Sequence, residues 1–215
     1  TTDIYNISKL DIDETICGND DRELSSDPRI GRLVPTAGGK CTAWLISNDV
    51  IVTAGHCYDD DENERVPYLV EFNVPLSNAD GSDNASEPED RYQVRFDGSD
   101  GGITPVEGID WLNAAIGNDW AVGRLLRNEE TGLLAGDSQG CWVNLEFDTP
   151  SLGSPVRITG HGLDDEPVKN LVQQTQVGPL VADDQAEVEY VLEYQTDTMG
   201  GNSGGPVISD STGGA

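Results

Sequence analysis

The chain has 215 residues, enough for one large β domain or two small barrels, each with a core of its own. Twelve Lys and Arg stand against 40 Asp and Glu, a formal charge of −28. Nucleic-acid binding and attachment to an anionic membrane surface both need clustered cations and are excluded. No apolar run approaches the roughly 18 residues of a membrane span.

In chain order, residues 1–29 are polar and acidic without a sustained period. They read as an arm on the surface or a propeptide remnant. From Leu33 onward, short apolar runs alternate with turn residues. Residues 43–46 and 50–52 predict two strands split by Ser47-Asn48-Asp49. Residues 68–74, 92–96 and 120–126 predict three more, and together these make a first barrel over residues 30–127. Residues 58–65 and 78–90 read as acidic loops. Residues 128–140 are Gly-rich and polar and predict the connection between two halves. Residues 141–147, 155–159, 171–177, 188–194 and 206–209 predict the strands of a second barrel over residues 141–215. Even spacing, with Gly, Pro, Asn and Asp between the runs, marks an all-β chain. No internal repeat of fixed period is present.

Gly numbers 25 and Pro 11, so turns are frequent, and four Trp with many Val, Ile and Leu argue against disorder. Lys occurs only at Lys9, Lys40 and Lys169, whereas Asp alone supplies 25 residues. Such a surface repels itself, stays soluble and is screened by salt, which suits a saline or secreted setting. The four cysteines form no C-x-x-C pair, so two disulfides and an oxidising compartment are expected. Cys41 and Cys57 flank an apolar stretch, and Cys17 and Cys141 remain to pair with each other. No hydrophobic leader opens the chain, so export implies that it has been removed.

Two local signals carry chemistry. Gly200-Gly201-Asn202-Ser203-Gly204-Gly205-Pro206 surrounds a serine with glycines, which lets the backbone turn sharply and expose the hydroxyl. Gly201 and Ser203 are spaced so that their N–H groups form an oxyanion hole. Thr53-Ala54-Gly55-His56-Cys57 follows the strand Val50-Ile51-Val52. A serine nucleophile needs a base with a pKa near neutrality, and His56 supplies one at a strand end. His161, in Gly160-His161-Gly162, reads as a loop residue without a role. The group that orients the imidazole is expected to be an Asp entering a buried strand, and Asn118-Asp119-Trp120-Ala121-Val122 fits. The order His56, Asp119, Ser203 is that of chymotrypsin-type double barrels, whereas α/β-hydrolases begin with Ser and subtilisins with Asp.

On these residues the chain resembles the trypsin-like clan of serine proteases. A narrower resemblance is to the bacterial glutamyl endopeptidases. Four stretches carry it: Gly18-Asn19-Asp20-Asp21-Arg22, Cys41-Thr42-Ala43-Trp44-Leu45-Ile46, Asn118-Asp119-Trp120, and the run from Leu192 to Ser203. The resemblance implies a chymotrypsin-like double β-barrel with the second barrel truncated at the C-terminus. It also implies a secreted serine endopeptidase acting on peptide or protein substrates through a Ser–His–Asp triad, after Glu and less well after Asp. Thr198 then lies in the primary specificity pocket, where its hydroxyl donates to a substrate carboxylate. The family completes that pocket with its mature N-terminal amine and a His beyond the nucleophile. Here these imply processing near Glu14, with a start at Thr15 or Ile16, and a C-terminal segment or second chain beyond Ala215. Arg29-Ile30 is discounted as an activation site, because Asn202 has no charge to pair with a new N-terminus.

Two alternatives stand beside this reading. Asp197 occupies the place where trypsins hold the Asp that selects Arg or Lys. A catalytically silent precursor or truncated homologue, acting as a binding module, is the other. No cofactor is required. Calcium is the one cation the acidic loops suggest, at Asp59-Asp60-Asp61-Glu62 with Glu64 or at Asp80, Asp83 and Asn84, although neither has EF-hand spacing.

Overall fold

The computed structural model describes residues 16, 18–35, 39–57, 68–95, 119–181 and 192–215. The chain enters through a short strand, β1 (Glu23–Leu24). It then forms β2 (Ile30–Val34), β3 (Cys41–Leu45), β4 (Val50–Thr53), β5 (Tyr68–Glu71), β6 (Arg91–Arg95) and β7 (Ala121–Leu125). Strands β2 to β7 close an antiparallel barrel in the order β2-β3-β4-β7-β6-β5.

Side chains alternate across a strand, and here both faces are used. Ala43 and Leu45 of β3 join Leu33, Ile51, Val70, Phe72, Tyr92, Val94 and Leu125 in the barrel core. Phe72 and Tyr92 meet edge to face at 5.8 Å. Trp44, on the opposite face of β3, packs with Ile30, Val143 and Ile208 in a second cluster outside the barrel. Burial on both faces explains why residues 43–46 read as a continuous apolar run.

A charge is sealed beside this packing. Arg32 of β2 is fully buried, and its guanidinium pairs with Glu71 of β5 at 2.6 Å. It also donates to the carbonyls of Asn84 and Leu171, so it ties the barrel to the second half. Removing one partner of a buried pair leaves an uncompensated charge. Glu71→Ala is therefore expected to lower stability by about 3–5 kcal/mol, and Arg32→Met with Glu71→Met to recover part of that loss. Urea midpoints of the two variants check this; a loss under 1 kcal/mol (an order-of-magnitude bound) in Glu71→Ala would refute it.

The second half contains a one-turn helix, α1 (Ala135–Gln139), then β8 (Pro155–Gly160), β9 (Gln174–Val181), β10 (Glu193–Tyr194) and β11 (Val207–Ser209). They form a sheet in the order β1-β9-β8-β11, with β10 also paired to β9. This sheet is open among the described residues.

Several expectations need correction. The arm is not only a surface feature: Glu23 and Leu24 pair with Thr175 and Gln174, and Arg22 is buried. Residues 128–140 contain α1, which ends at Gly140 in the left-handed conformation. Residues 141–147 form no strand. Val143 and Glu146 make isolated bonds, to the carbonyls of Leu45 and Ala215, and without a continuous ladder Leu145 and Phe147 stay exposed. The strand expected over residues 171–177 starts three residues later, because Leu171 has φ +58° and cannot join a ladder. The Cys41–Cys57 disulfide is formed. Among the described residues Cys141 is a free thiol, with its Sγ 3.8 Å from the Gln139 carbonyl. Cys17 itself and the loop over residues 58–65 lie outside the described residues.

Candidate active site

The barrel brings His56 and Asp119 together. β4 and β7 pair with Thr53 opposite Ala121, so the residues just after β4 face those just before β7. His56 sits in a single 3₁₀ turn, Gly55–Cys57, which the Cys41–Cys57 disulfide pins to β3. Both Asp119 oxygens engage this one residue. Oδ2 lies 2.6 Å from His56 Nδ1, and Oδ1 accepts the His56 backbone N–H at 2.7 Å. The contact places the ring proton on Nδ1 and leaves Nε2 as the acceptor. Burial opposes ionisation of Asp119. The bonds and charge of His56, with the Gly55 N–H, outweigh it and hold the carboxyl below its usual range.

The serine loop is seated against the same strand end. The Ser203 carbonyl accepts the Thr42 N–H at 2.8 Å and lies 3.8 Å from Cys57 Sγ, next in sequence to His56. Cys57 is disulfide-bonded, so this last approach is a contact and not a hydrogen bond. Gly204 has φ +83°, and a Cβ there would come within 2.4 Å of Thr53 Oγ1 and the Thr42 carbonyl. Gly201 has φ +101°, with the His161 carbonyl 2.5 Å from the place of a Cβ. Only glycine permits both the turn and the approach.

The loop's carbonyls are tied down, and this aims its N–H groups. The Gly200 carbonyl accepts from Leu163 N–H at 2.8 Å and the Asn202 carbonyl from Gly205 N–H at 2.8 Å. In a trans peptide the carbonyl and the next N–H point in opposite directions. The N–H groups of Gly201 and Ser203 are thus turned away from the anchored oxygens, and among the described residues neither donates to a backbone carbonyl. Two such donors converging on one point can stabilise a developing oxyanion.

The other expected residues behave differently. Asp197 is buried, and its Oδ2 accepts from Asp21 N–H at 3.0 Å and from the Gln176 side-chain amide at 2.9 Å. Its backbone N–H donates to Gln176 Oε1. Thr198 is half-buried beside it. Asp80 and Asp83, the described carboxylates named above as candidate cation ligands, are both engaged within the protein. Asp80 accepts from the Ser82 N–H and hydroxyl, while Asp83 pairs with Lys40 and lies 3.5 Å from Arg32. The one cluster of three metal-ligand types among the described residues is Cys41, His56 and Cys57, and its sulfurs are joined as a disulfide.

Sequence reasoning missed the residues that hold the loop. Arg22 is buried, paired with Asp20 at 2.6 Å, and donates to the Leu163 carbonyl. Thr42 reaches Gly201 across 159 positions of sequence, and no local signal marks such a partner. His161, read as a loop residue, is fully buried, and its Nε2 has no hydrogen-bond partner among the described residues.

Comparison with known proteins agrees with this architecture. The trypsin-like peptidase domain family matches residues 41–214. A curated glutamyl endopeptidase of Bacillus licheniformis is 26% identical over 206 residues, covering 93% of this chain. The chain spans 56% of that relative's length. Among solved structures, a Glu endopeptidase in complex with MPD aligns with TM-score 0.64 at 19% identity, covering 90% of this chain and 82% of its own. A thermostable serine protease from an extremophilic microorganism aligns with TM-score 0.63 at 17% identity, covering 88% and 82%. The protease Anisep of Arthrobacter nicotinovorans aligns with TM-score 0.58 at 16% identity, covering 90% and 83%. At these identities the structural likeness speaks for the fold: mostly β, with a closed six-stranded barrel and a second sheet, as in chymotrypsin-like proteases.

Proposed function

Because the chain belongs to the trypsin-like peptidase family, we propose that it is a serine endopeptidase that cuts after Glu, and less well after Asp. The observation that carries the reading is the pair of hydrogen bonds that His56 donates to Asp119, beside a glycine loop with two N–H groups turned away from its anchored carbonyls. Ser203 Oγ attacks the scissile carbonyl while His56 Nε2 takes its proton. Asp119 keeps the imidazole in the required tautomer and stabilises the imidazolium. The Gly201 and Ser203 N–H groups receive the oxyanion. His56 then returns the proton to the leaving amine, and water repeats the sequence on the acyl-enzyme.

One observation, together with the family resemblance, favours Glu over Arg or Lys. The Asp197 carboxylate, which a basic side chain would need, is buried and already accepts two protein hydrogen bonds. Thr198, next to it, is the half-buried residue that the resemblance to glutamyl endopeptidases places in the specificity pocket. The protein is secreted: the acidic composition and the Cys41–Cys57 disulfide suit an oxidising exterior.

A peptide panel varying only the residue before the scissile bond tests this, run before and after processing near Glu14. After processing, kcat/KM for Glu should exceed that for Asp about tenfold, with Arg and Lys at background. A clear preference for Arg or Lys would reject the specificity in favour of a role for Asp197 in substrate binding. Failure of Ser203 to react with a fluorophosphonate in any form would reject the peptidase reading itself.

A further inference from the structure

We propose that Thr42 is a positioning residue: its hydroxyl sets the peptide that lies between the two oxyanion donors, so that β3 aligns the nucleophile loop with the histidine turn. The inference rests on the serine-endopeptidase reading. Thr42 is fully buried, and every polar atom it has is engaged. Its N–H donates to the Ser203 carbonyl at 2.8 Å. Its hydroxyl donates to the Gly201 carbonyl at 2.9 Å and accepts the His161 N–H at 2.9 Å. Its own carbonyl accepts the Thr53 hydroxyl at 2.8 Å.

Four consecutive carbonyls of the loop, from Gly200 to Ser203, are anchored, and Thr42 supplies two of the anchors. The Gly201 anchor comes from a side chain and can be removed without touching the backbone. The peptide it holds joins Gly201 to Asn202, between the N–H groups of Gly201 and Ser203. If that peptide rotates, the two donors no longer meet at one point. The residue before Thr42 is Cys41, whose disulfide fixes the turn that carries His56. Adjacent residues of one strand thus hold base and nucleophile in a common frame.

The test compares Thr42→Val, which keeps shape and loses the hydroxyl, with Thr42→Ser, which restores it. Val leaves the Gly201 carbonyl and the His161 N–H unpaired in the interior. The rate of fluorophosphonate labelling at Ser203, per folded molecule, should fall roughly 100-fold in Thr42→Val and return to within about threefold in Thr42→Ser. Amide exchange of Asn202 and Gly205, which bond to Met199 and Asn202 carbonyls, should quicken more than about tenfold in the Val variant while β4 amides keep their protection. Thr42→Val labelling within twofold of wild type (a rough bound), or unchanged exchange at Asn202 and Gly205, overturns the proposal. Absence of labelling in the wild-type chain counts against the peptidase reading, and the exchange experiment then decides on Thr42 by itself.

Discussion

Replacing Ser203 by alanine is expected to lower kcat/KM by about 10⁴- to 10⁶-fold and to leave the fold unchanged. The rate falls because nothing else in the loop can form the acyl bond: the flanking residues are glycines and Asn202. The fold persists because Ser203 is held through its backbone, by the Thr42 N–H, and alanine keeps that bond. Ala also accepts the Ser203 backbone geometry, whereas the residues with φ above +80° on either side, Gly201 and Gly204, would not accept it. Residual catalysis over water should remain, since the oxyanion donors survive the substitution. Kinetics on the best peptide of the panel, with thermal unfolding of both proteins, make the measurement. Near wild-type turnover in Ser203→Ala would end the assignment of Ser203 as nucleophile.

The second large effect concerns acid. His161 lies between the halves with no exposure, its Nδ1 3.3 Å from the Leu171 carbonyl. Arg32 donates to that same carbonyl, and Glu71 neutralises Arg32 from the far side. Burial first, and the Arg32 charge second, push the His161 pKa down to about 3. In the unfolded chain the imidazole titrates near its ordinary value of about 6.5. Between these values the unfolded state binds a proton that the folded state refuses. The contribution is therefore fully present above about pH 6.5 and is lost as pH falls toward 3, at roughly 1.4 kcal/mol per pH unit. The 40 acidic residues titrate in the same range and change stability with pH in their own right. The informative quantity is thus the difference between wild type and His161→Phe, whose ring cannot be protonated. Urea midpoints measured from pH 7 to pH 4 should decline more steeply in wild type, by the equivalent of one proton. Parallel curves would show that His161 is protonated in the folded protein.

The candidate site residues were legible because each sits in a local pattern. A Val-Ile-Val strand ending in Ala-Gly-His-Cys predicts a rigid histidine. A serine between glycines predicts an exposed hydroxyl, and the alternation of apolar runs with turns predicts an all-β chain. Such signals arise from neighbours in sequence, so composition and spacing carry them. What one face of a strand meets is not local. Residues 141–147 have the composition of a strand but find no ladder, and Cys141 has no disulfide partner among the described residues. Asp197 is one Asp among 25, and only the approach of Asp21 and Gln176 shows that its carboxylate is spent within the protein. His161 reads as a loop residue until β8 and the Leu171 turn close over it, and Thr42 reads as a strand filler until Gly201 arrives from 159 positions away. The sequence by itself determined the β architecture and the order of the candidate residues His56, Asp119 and Ser203. The tertiary structure alone decided which polar groups are buried and paired, because desolvation and hydrogen bonding depend on partners that only the closed fold brings within reach.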